Sequence, residues 1–168
     1  MRAAVRAVYR SRQFFEALRP HIDASLRMEA LGPLREPERQ LFEAITRRDQ
    51  QHCLEVYRRL RAQGHDDHDL LTAALLHDVG KGRVALWHRV AYVLLQAGAP
   101  GLLARLVAPG EGRGWRQALY RYQHHPKLGA ELARRAGSSS AVVGLIGAEE
   151  VATDGGRLAA LQAADDAV

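Results

Sequence analysis

Apolar side chains recur at helical spacing along most of this chain, and no segment shows the alternation of apolar and polar residues that is typical of successive β-strands. Such spacing places the apolar side chains on one face of a helix, so we expect an all-α fold, a helical bundle around one core. Glycine, proline or serine residues separate the apolar segments and end the helices. The expected helices cover residues 1–19, 38–63, 70–78, two segments between 84 and 107, and then 115–122, 127–136, 140–151 and 157–168.

The pattern divides the chain into an N-terminal helical extension, residues 1–35, and a main domain, residues 36–168. In the extension, Arg2, Arg6 and Arg10 follow one another at four-residue spacing beside an apolar stripe, which indicates a helix with one cationic face. We expect this helix to pack on the domain with its arginines in solvent. An anchor for an acidic surface is the alternative interpretation.

Length and composition restrict the classes of function. A chain of 168 residues fits one domain, and 24 basic residues against 19 acidic ones give a net charge of +5, which favours anionic ligands. The arginines are dispersed and no aromatic cluster is placed to stack on bases, which argues against nucleic acid. The single cysteine, Cys53, excludes an intrachain disulfide, and the first residues lack the apolar segment and cleavage site of a secretory signal. We therefore expect a cytoplasmic protein.

The longest apolar region, residues 84–107, is too interrupted to predict a transmembrane segment. His88, Arg89 and a Gly-Ala-Pro-Gly sequence at 98–101 divide it, so we expect two helices that pack in the core. Contact with a membrane surface is the alternative, because apolar and aromatic residues lie near basic ones. These residues are Trp87, Tyr92, Leu94 and Leu95.

A histidine and an aspartate end the most apolar helix of the chain. Residues 70–76 are almost wholly apolar, which indicates a helix buried on most sides, and His77 and Asp78 follow directly before Gly80. A buried imidazole and carboxylate need a partner or a metal ion to compensate for their loss of hydration. The pair is therefore the first candidate for a metal site.

A second polar cluster, His-Asp-Asp-His-Asp at residues 65–69, has a different interpretation. It lies between Gly64, which stops one helix, and the start of the next. Asp67 or Asp69 can accept hydrogen bonds from the free amides at that start. We predict a helix cap here rather than a metal site.

Three motifs follow one another in the order of a known superfamily. Ala-Ala-Leu-Leu-His-Asp-Val-Gly-Lys spans residues 73–81, His-Pro-Lys-Leu-Gly-Ala-Glu-Leu spans 125–132, and Leu-Gln-Ala-Ala-Asp spans 161–165. His52 lies on the helix before the first motif at a matching distance. Over roughly residues 40–166, their order, spacing and identity resemble the HD superfamily of metal-dependent phosphohydrolases, and the resemblance implies that residues 36–168 form an HD domain.

The resemblance implies a metal centre with two imidazoles and two carboxylates. Such a set suits a divalent transition ion, namely manganese, iron, cobalt, nickel or zinc, better than calcium. On the last helix, Asp165 is favoured over Asp166 because it lies on the same face as Leu161, four residues earlier. The implied metal ligands are His52, His77, Asp78 and Asp165.

His125 matches a position that helps to hold a second metal ion in some members of the superfamily. Those members carry further histidines later in the chain, where this chain has Glu149 and Glu150 and no histidine. We therefore favour one ion, with His125 beside it or in contact with phosphate. A second ion with a glutamate ligand is the alternative.

The resemblance implies hydrolysis of a phosphomonoester or phosphodiester in a phosphorylated small molecule, with a nucleotide as the expected substrate. Asp78 is then both a metal ligand and the proton acceptor, while His125 and Lys81 contact phosphate. For Lys81, a loop cation in solvent is an equally open interpretation. The rival to catalysis is a regulatory module that keeps the fold and binds a metal or a nucleotide, which the missing later histidine favours, as does the position of Asp165 near the chain end. A third alternative is an oxygen-using enzyme of the same superfamily with two irons. It is less favoured, because it needs a second set of metal ligands.

Overall fold

The protein folds into helices alone over residues 22–107, 114–148 and 155–168, which the computed structural model describes. The predicted all-α class is confirmed, and a 3-10 turn at Val79–Lys81 lies between the fourth and fifth helices. The expected helix at 1–19 lies outside these ranges. In chain order the helices are α1 (Ala24–Leu31), α2 (Glu36–Ala44), α3 (Arg47–Ala62), α4 (His68–Leu76), α5 (Leu86–Gly98), α6 (Pro100–Leu106), α7 (Trp115–Arg135), α8 (Ser140–Ile146) and α9 (Arg157–Asp165).

Helix α4 is the centre of the core, as its apolar sequence predicts. Every residue from 72 to 76 is buried, and α3, α8 and α9 pack around it. Ala30 and Leu31 of α1 are buried in the same core, so the last part of the 1–35 extension packs on the main domain. The burial of α4 on most sides places its C-terminal end, and therefore His77 and Asp78, inside the molecule.

The single helix expected at 38–63 is wrong, because the chain is extended between α2 and α3. Ile45 and Thr46 have ψ angles of 169° and 153°, and the Thr46 hydroxyl caps α3 by accepting a hydrogen bond from the Asp49 amide at 3.3 Å. The Gln50 side chain donates to the carbonyl oxygens of Glu43 and Ile45, which the end of α2 leaves free. Local side-chain hydrogen bonds therefore stabilise a break between two helices, although the apolar pattern continues across it.

Helix α7 joins the two helices expected at 115–122 and 127–136, and it is kinked where they meet. His124 has non-helical angles, φ −109° and ψ 15°, two residues before Pro126. Proline has no amide hydrogen to donate to the carbonyl group four residues earlier, that of Tyr122. That carbonyl oxygen accepts a hydrogen bond from His125 Nδ1 at 2.8 Å instead. The carbonyl group that Pro126 leaves without an amide donor thus fixes the orientation of the His125 imidazole.

Helices α5 and α6 confirm the two expected segments, but their outer face is not packed in the core. Trp87 and Leu94 are 58% and 66% exposed, so the expected burial is wrong for them, while Tyr92 and Leu95 are half-buried. The reason is that α5 contacts the bundle through its other face, where the Tyr92 ring lies 4.9 Å from that of Tyr122. Within the ranges that the structure describes, no helix has the length and apolar character needed to cross a bilayer.

The predicted cap at residues 65–69 is confirmed and gives a stability prediction. Asp67 Oδ1 accepts a hydrogen bond of 2.8 Å from the Leu70 amide at the start of α4. We expect Asp67→Ala to lower the free energy of unfolding by about 1 kcal/mol, because this amide loses its acceptor. Urea denaturation measures the change, and Asp66→Ala, at an exposed neighbouring position, is the matched control. Equal losses in the two variants would contradict the cap.

Candidate metal centre

Four side chains that the sequence singled out converge beyond the C-terminal end of α4. His52 comes from α3, His77 and Asp78 follow α4, and Asp165 is the last residue of α9. His52 Nε2 lies 2.7 Å from Asp165 Oδ1, and His77 Nε2 lies 3.4 Å from the same oxygen and 3.5 Å from Asp78 Oδ1. The possible ligand atoms of His52, His77 and Asp78 all lie within 4.8 Å of one another. The fold therefore assembles a compact group of nitrogen and oxygen donors.

The His77 ring is held in an orientation that suits a metal ligand. Its Nδ1 lies 2.9 Å from the Ala74 carbonyl oxygen, which can only accept, so Nδ1 carries a proton. In the neutral ring the lone pair is then on Nε2, which is buried and makes no hydrogen bond. Burial lowers the pKa of His77, but Cys53, Asp165 and Asp78 outweigh it and raise that pKa overall. A proton and a metal ion therefore compete for Nε2.

Asp78 is a buried carboxylate surrounded by positively charged or polar groups. It is 1% exposed, and the Lys81 ammonium lies 2.6 Å from each of its oxygens. Burial alone would raise the pKa of Asp78, but the charges of His77 and Lys81 outweigh it and hold that pKa below its ordinary value. The carboxylate is therefore ionised near neutral pH. Its Oδ1, which faces His77 and His125, makes no hydrogen bond of good geometry.

Asp165 closes the site on its more exposed side. Its side chain is 41% exposed, and contacts with His52 and His77 hold its pKa far below the ordinary value despite partial burial. Helix α9 is anchored by buried Leu158, Leu161 and Ala164, so the position of Asp165 near the chain end does not leave it unsupported. The preference for Asp165 over the exposed Asp166 agrees with this geometry.

The donor set fits a divalent transition metal ion. His77 Nε2 and Asp78 Oδ1 are buried polar atoms without a hydrogen bond, and such atoms are costly unless something else compensates for them. Two imidazoles and two carboxylates match the ligand preferences of manganese, iron, cobalt, nickel and zinc. His52, His77, Asp78 and Asp165 are the residues that could hold the ion.

Lys81 and His125 lie beside Asp78, where both were predicted to act. The Lys81 side chain is largely buried in its ion pair with Asp78, so the interpretation as a solvated loop cation is wrong. His125 Nε2 lies 3.7 Å from Asp78 Oδ1, and its Nδ1 is fixed by the Tyr122 carbonyl group. Burial, together with the charge of Lys81, lowers the pKa of His125, so its ring is neutral near pH 7.

Two glycines bring the second motif against the first. A Cβ atom on Gly80 would lie 2.0 Å from the His125 carbonyl oxygen and 2.7 Å from the Gly129 amide nitrogen. At Gly129, a Cβ atom would lie 3.0 Å from the Ile146 side chain and 3.4 Å from the Gly80 nitrogen. Only glycines allow the turn after Asp78 to approach α7 this closely, and the approach sets the position of His125.

Sequence reasoning missed two arginines that add positive charge around the site. Arg89 on α5 forms an ion pair of 2.5 Å with buried Asp49, one helical turn before His52, and the charge of Asp78 also contributes to raising its pKa. The Arg121 side chain on α7 lies 3.4 Å from the Gly80 carbonyl oxygen. The chain has many arginines, and nothing in the neighbouring sequence distinguishes Arg89 or Arg121 from the others.

The remaining candidates take no part in this group. The His88 ring stacks on Trp87 at 3.5 Å, and the half-buried His124 ring lies 4.4 Å from that of Tyr120. Glu149 and Glu150, named as alternative ligands for a second ion, lie outside the described residues.

Comparison with family models, with curated proteins and with solved structures gave no match for this chain.

Replacing Lys81 with methionine should tighten metal binding. The ammonium group occupies the Asp78 carboxylate and competes with a metal ion for it, while methionine keeps much of the side-chain volume without the charge. We expect affinity for Mn²⁺ to rise about tenfold, or about 1.4 kcal/mol. Isothermal titration calorimetry measures the change, with Lys127→Met at an exposed position of α7 as the control. Equal affinities for Lys81→Met and the unsubstituted protein would show that Lys81 does not compete.

Proposed function

We propose that this protein is a metal-dependent phosphohydrolase of the HD type, which cleaves a phosphomonoester or phosphodiester bond, with a nucleotide as the favoured substrate. One observation carries the proposal: the buried Nε2 of His77 and Oδ1 of Asp78 face a common space, and neither makes a hydrogen bond. Ion pairs with Lys81 and Asp165 offset part of the cost of burying these two atoms, and a metal ion bound between them would compensate for the rest. The order of the motifs along the chain supports the same assignment.

His52, His77, Asp78 and Asp165 would hold the ion, which when bound polarises phosphoryl oxygens and makes a bound water molecule more acidic. The ionised Asp78 carboxylate is placed to accept a proton from water. Lys81 offers an ammonium group beside it, and the neutral His125 ring presents Nε2 toward the same carboxylate. In the proposed mechanism both side chains would contact a phosphate group bound beside Asp78.

The charge around the site favours an anionic substrate. Lys81, Arg89 and Arg121 surround the turn after Asp78 and are each partly or largely buried. Lys81 and Arg89 are paired with the Asp78 and Asp49 carboxylates, so a metal ion bound to Asp78 would leave the Lys81 ammonium free to contact phosphate. Positive charge in a partly desolvated site attracts phosphate esters more strongly than the same charge in open solvent.

Turnover of simple phosphate esters tests the proposal. The protein, loaded with Mn²⁺, Co²⁺ or Ni²⁺, is assayed with p-nitrophenyl phosphate, bis-p-nitrophenyl phosphate and a panel of linear and cyclic nucleotides. We expect metal-dependent hydrolysis that Asp165→Asn abolishes and that Asp166→Asn, one residue further along the chain, leaves intact. A protein that binds no transition ion under these conditions would refute the proposal.

A metal- or nucleotide-binding regulatory module is the second candidate, and one feature favours it. Helix α8 buries Val142, Val143, Leu145 and Ile146 in the core. Residues 140–148 contain no side chain that could serve as a ligand for a second ion. Nucleotide binding and metal binding without turnover of any ester in the panel would establish this candidate instead.

A further inference from the structure

The outer face of α5 is apolar and exposed to solvent. Trp87, Val90 and Leu94 lie at positions i, i+3 and i+7 and therefore share one face of the helix, with exposures of 58%, 51% and 66%. Val93 on α5 and Leu102 on α6 are also about half-exposed. We call this surface, formed by Trp87, Val90, Val93, Leu94 and Leu102, the hairpin face. Contiguous exposed apolar surface of this kind is a mark of an interaction site.

The hairpin of α5 and α6 lies beside the bundle rather than in its main core. Of the helical residues whose side chains are described there, only Leu103 is buried, and the main core cluster includes none of them. The helices are held through Leu103, through the contact of Tyr92 with Tyr122 and through the ion pair of Arg89 with Asp49. The hairpin is thus anchored by its inner side and presents its apolar side outward.

Basic residues outnumber acidic ones in this part of the sequence. Between Val79 and Ala130 the chain has eight basic residues and one acidic residue, although Lys81 and Arg89 are paired with Asp78 and Asp49, which lie outside this range. The hairpin itself, residues 86–107, contains no acidic residue. Whereas Lys81, Arg89 and Arg121 surround the metal centre, Arg83, Arg105 and Arg116 are exposed and lie at the ends of the hairpin or next to them.

The second tryptophan of the chain lies at one end of the hairpin. The Arg116 guanidinium group donates hydrogen bonds of 3.0 Å to the carbonyl oxygens of Arg105 and Leu106, which joins the start of α7 to the end of α6. Trp115, directly before Arg116, is 45% exposed. Tryptophan and arginine beside exposed aliphatic residues are the combination found where helices lie in the interface of a bilayer.

We propose that the hairpin face docks on the surface of an anionic lipid membrane, with α5 lying parallel to it. The aliphatic side chains would enter the boundary between headgroups and acyl chains, the two tryptophans would lie at headgroup level, and the exposed arginines would contact lipid phosphates. A second copy of the chain is a poorer partner, because face-to-face pairing would bring the exposed Arg83, Arg105 and Arg116 of one copy toward those of the other, and residues 86–107 offer no acidic side chain to pair with them. The docking does not depend on the proposed phosphohydrolase activity.

Binding of the full-length protein to vesicles tests this proposal. We expect co-sedimentation with vesicles of equimolar phosphatidylcholine and phosphatidylglycerol, weak or no co-sedimentation with phosphatidylcholine alone, and weaker binding at high salt. Tryptophan fluorescence should shift to shorter wavelength when the anionic vesicles are added, and Trp87→Phe should reduce the shift. Equal binding to both kinds of vesicle, or binding to neither, would overturn the proposal.

A matched pair of substitutions locates the contact. Leu94→Glu places a charge in the hairpin face and should lower vesicle affinity about tenfold or more, since a leucine side chain is no longer buried in lipid. Met28→Glu makes the same kind of change at a 76% exposed position of α1 and should leave affinity unchanged. Circular dichroism melting checks that both variants fold. Equal effects of the two substitutions would overturn the assignment of the face.

Other occupants of the hairpin face give different results. If a second copy covers it, sedimentation velocity will show a dimer that Leu94→Glu dissociates, and vesicles will not bind. If another segment of the chain covers it, Trp87 will be shielded from acrylamide quenching before any vesicle is added. If an acidic protein is the partner, vesicles will not bind while the monomer remains open to the quencher. Each of these three results would overturn lipid docking.

Discussion

Replacement of His77 with alanine should eliminate metal binding while leaving the protein folded. The unsubstituted protein, loaded with Mn²⁺ or Co²⁺ and then desalted, should hold about one ion per chain, since the two imidazoles and two carboxylates surround one space. His77 is the member of the group that contacts both carboxylates, so its loss should lower metal affinity by at least about 100-fold. Mass spectrometric metal analysis measures the bound ion, and the proposed phosphohydrolase activity should be lost with it.

His68→Ala is the matched control for this variant. His68 is exposed at the start of α4, on the same helix but at its opposite end. It should retain the full metal content, and the circular dichroism spectra of both variants should match that of the unsubstituted protein. Metal retained by a folded His77→Ala variant would refute the assignment of the centre.

Alanine at position 80 should have the largest effect on stability of any substitution considered. The added Cβ atom would lie 2.0 Å from the His125 carbonyl oxygen and 2.7 Å from the Gly129 nitrogen, both of them backbone atoms that cannot rotate away. The turn after Asp78 and α7 must then separate, at a cost of about 3 kcal/mol or more. That is a large part of the stability of an ordinary domain. Urea denaturation measures the loss, and in any protein that still folds, metal affinity should fall because Asp78 moves.

Gly144→Ala is the control, because it is the same substitution in a helix with open space. A Cβ atom on Gly144 in α8 has no neighbouring atom within 4 Å, so we expect no loss, or a gain of about 0.5 to 1 kcal/mol from the better helix propensity of alanine. If Gly80→Ala proves as stable as Gly144→Ala, the close approach of the turn to α7 is wrong.

The fold could be predicted well at the level of helices and less well at their ends. Helical periodicity and the apolar sequence of α4 gave the class and the central element, and the cap at Asp67 follows from local hydrogen bonding. The sequence does not reveal the break between α2 and α3, because Ile45 is buried and continues the apolar pattern up to Thr46. The sequence predicts a gap between two helices where the structure has a kink at His124, since a proline indicates that a helix is disturbed but not by how much.

The candidate site could be predicted where its residues are neighbours in the sequence or match a motif. His77 and Asp78 were identified from their position at the end of a buried helix. The ion pair of Arg89 with Asp49 could not be identified in this way, because the sequence around an arginine in an amphipathic helix does not indicate which carboxylate it contacts.

The sequence by itself determined that the chain is helical, that α4 is its buried centre and that His77 and Asp78 end this helix. These properties depend on spacing along the chain, which the sequence records directly. Tertiary structure decided that His52 and Asp165, 113 residues apart, meet at 2.7 Å beside His77, because contacts between distant residues depend on how helices pack. It also decided that the apolar face of α5 is exposed, since an apolar helical face has the same sequence pattern whether a core or a partner covers it.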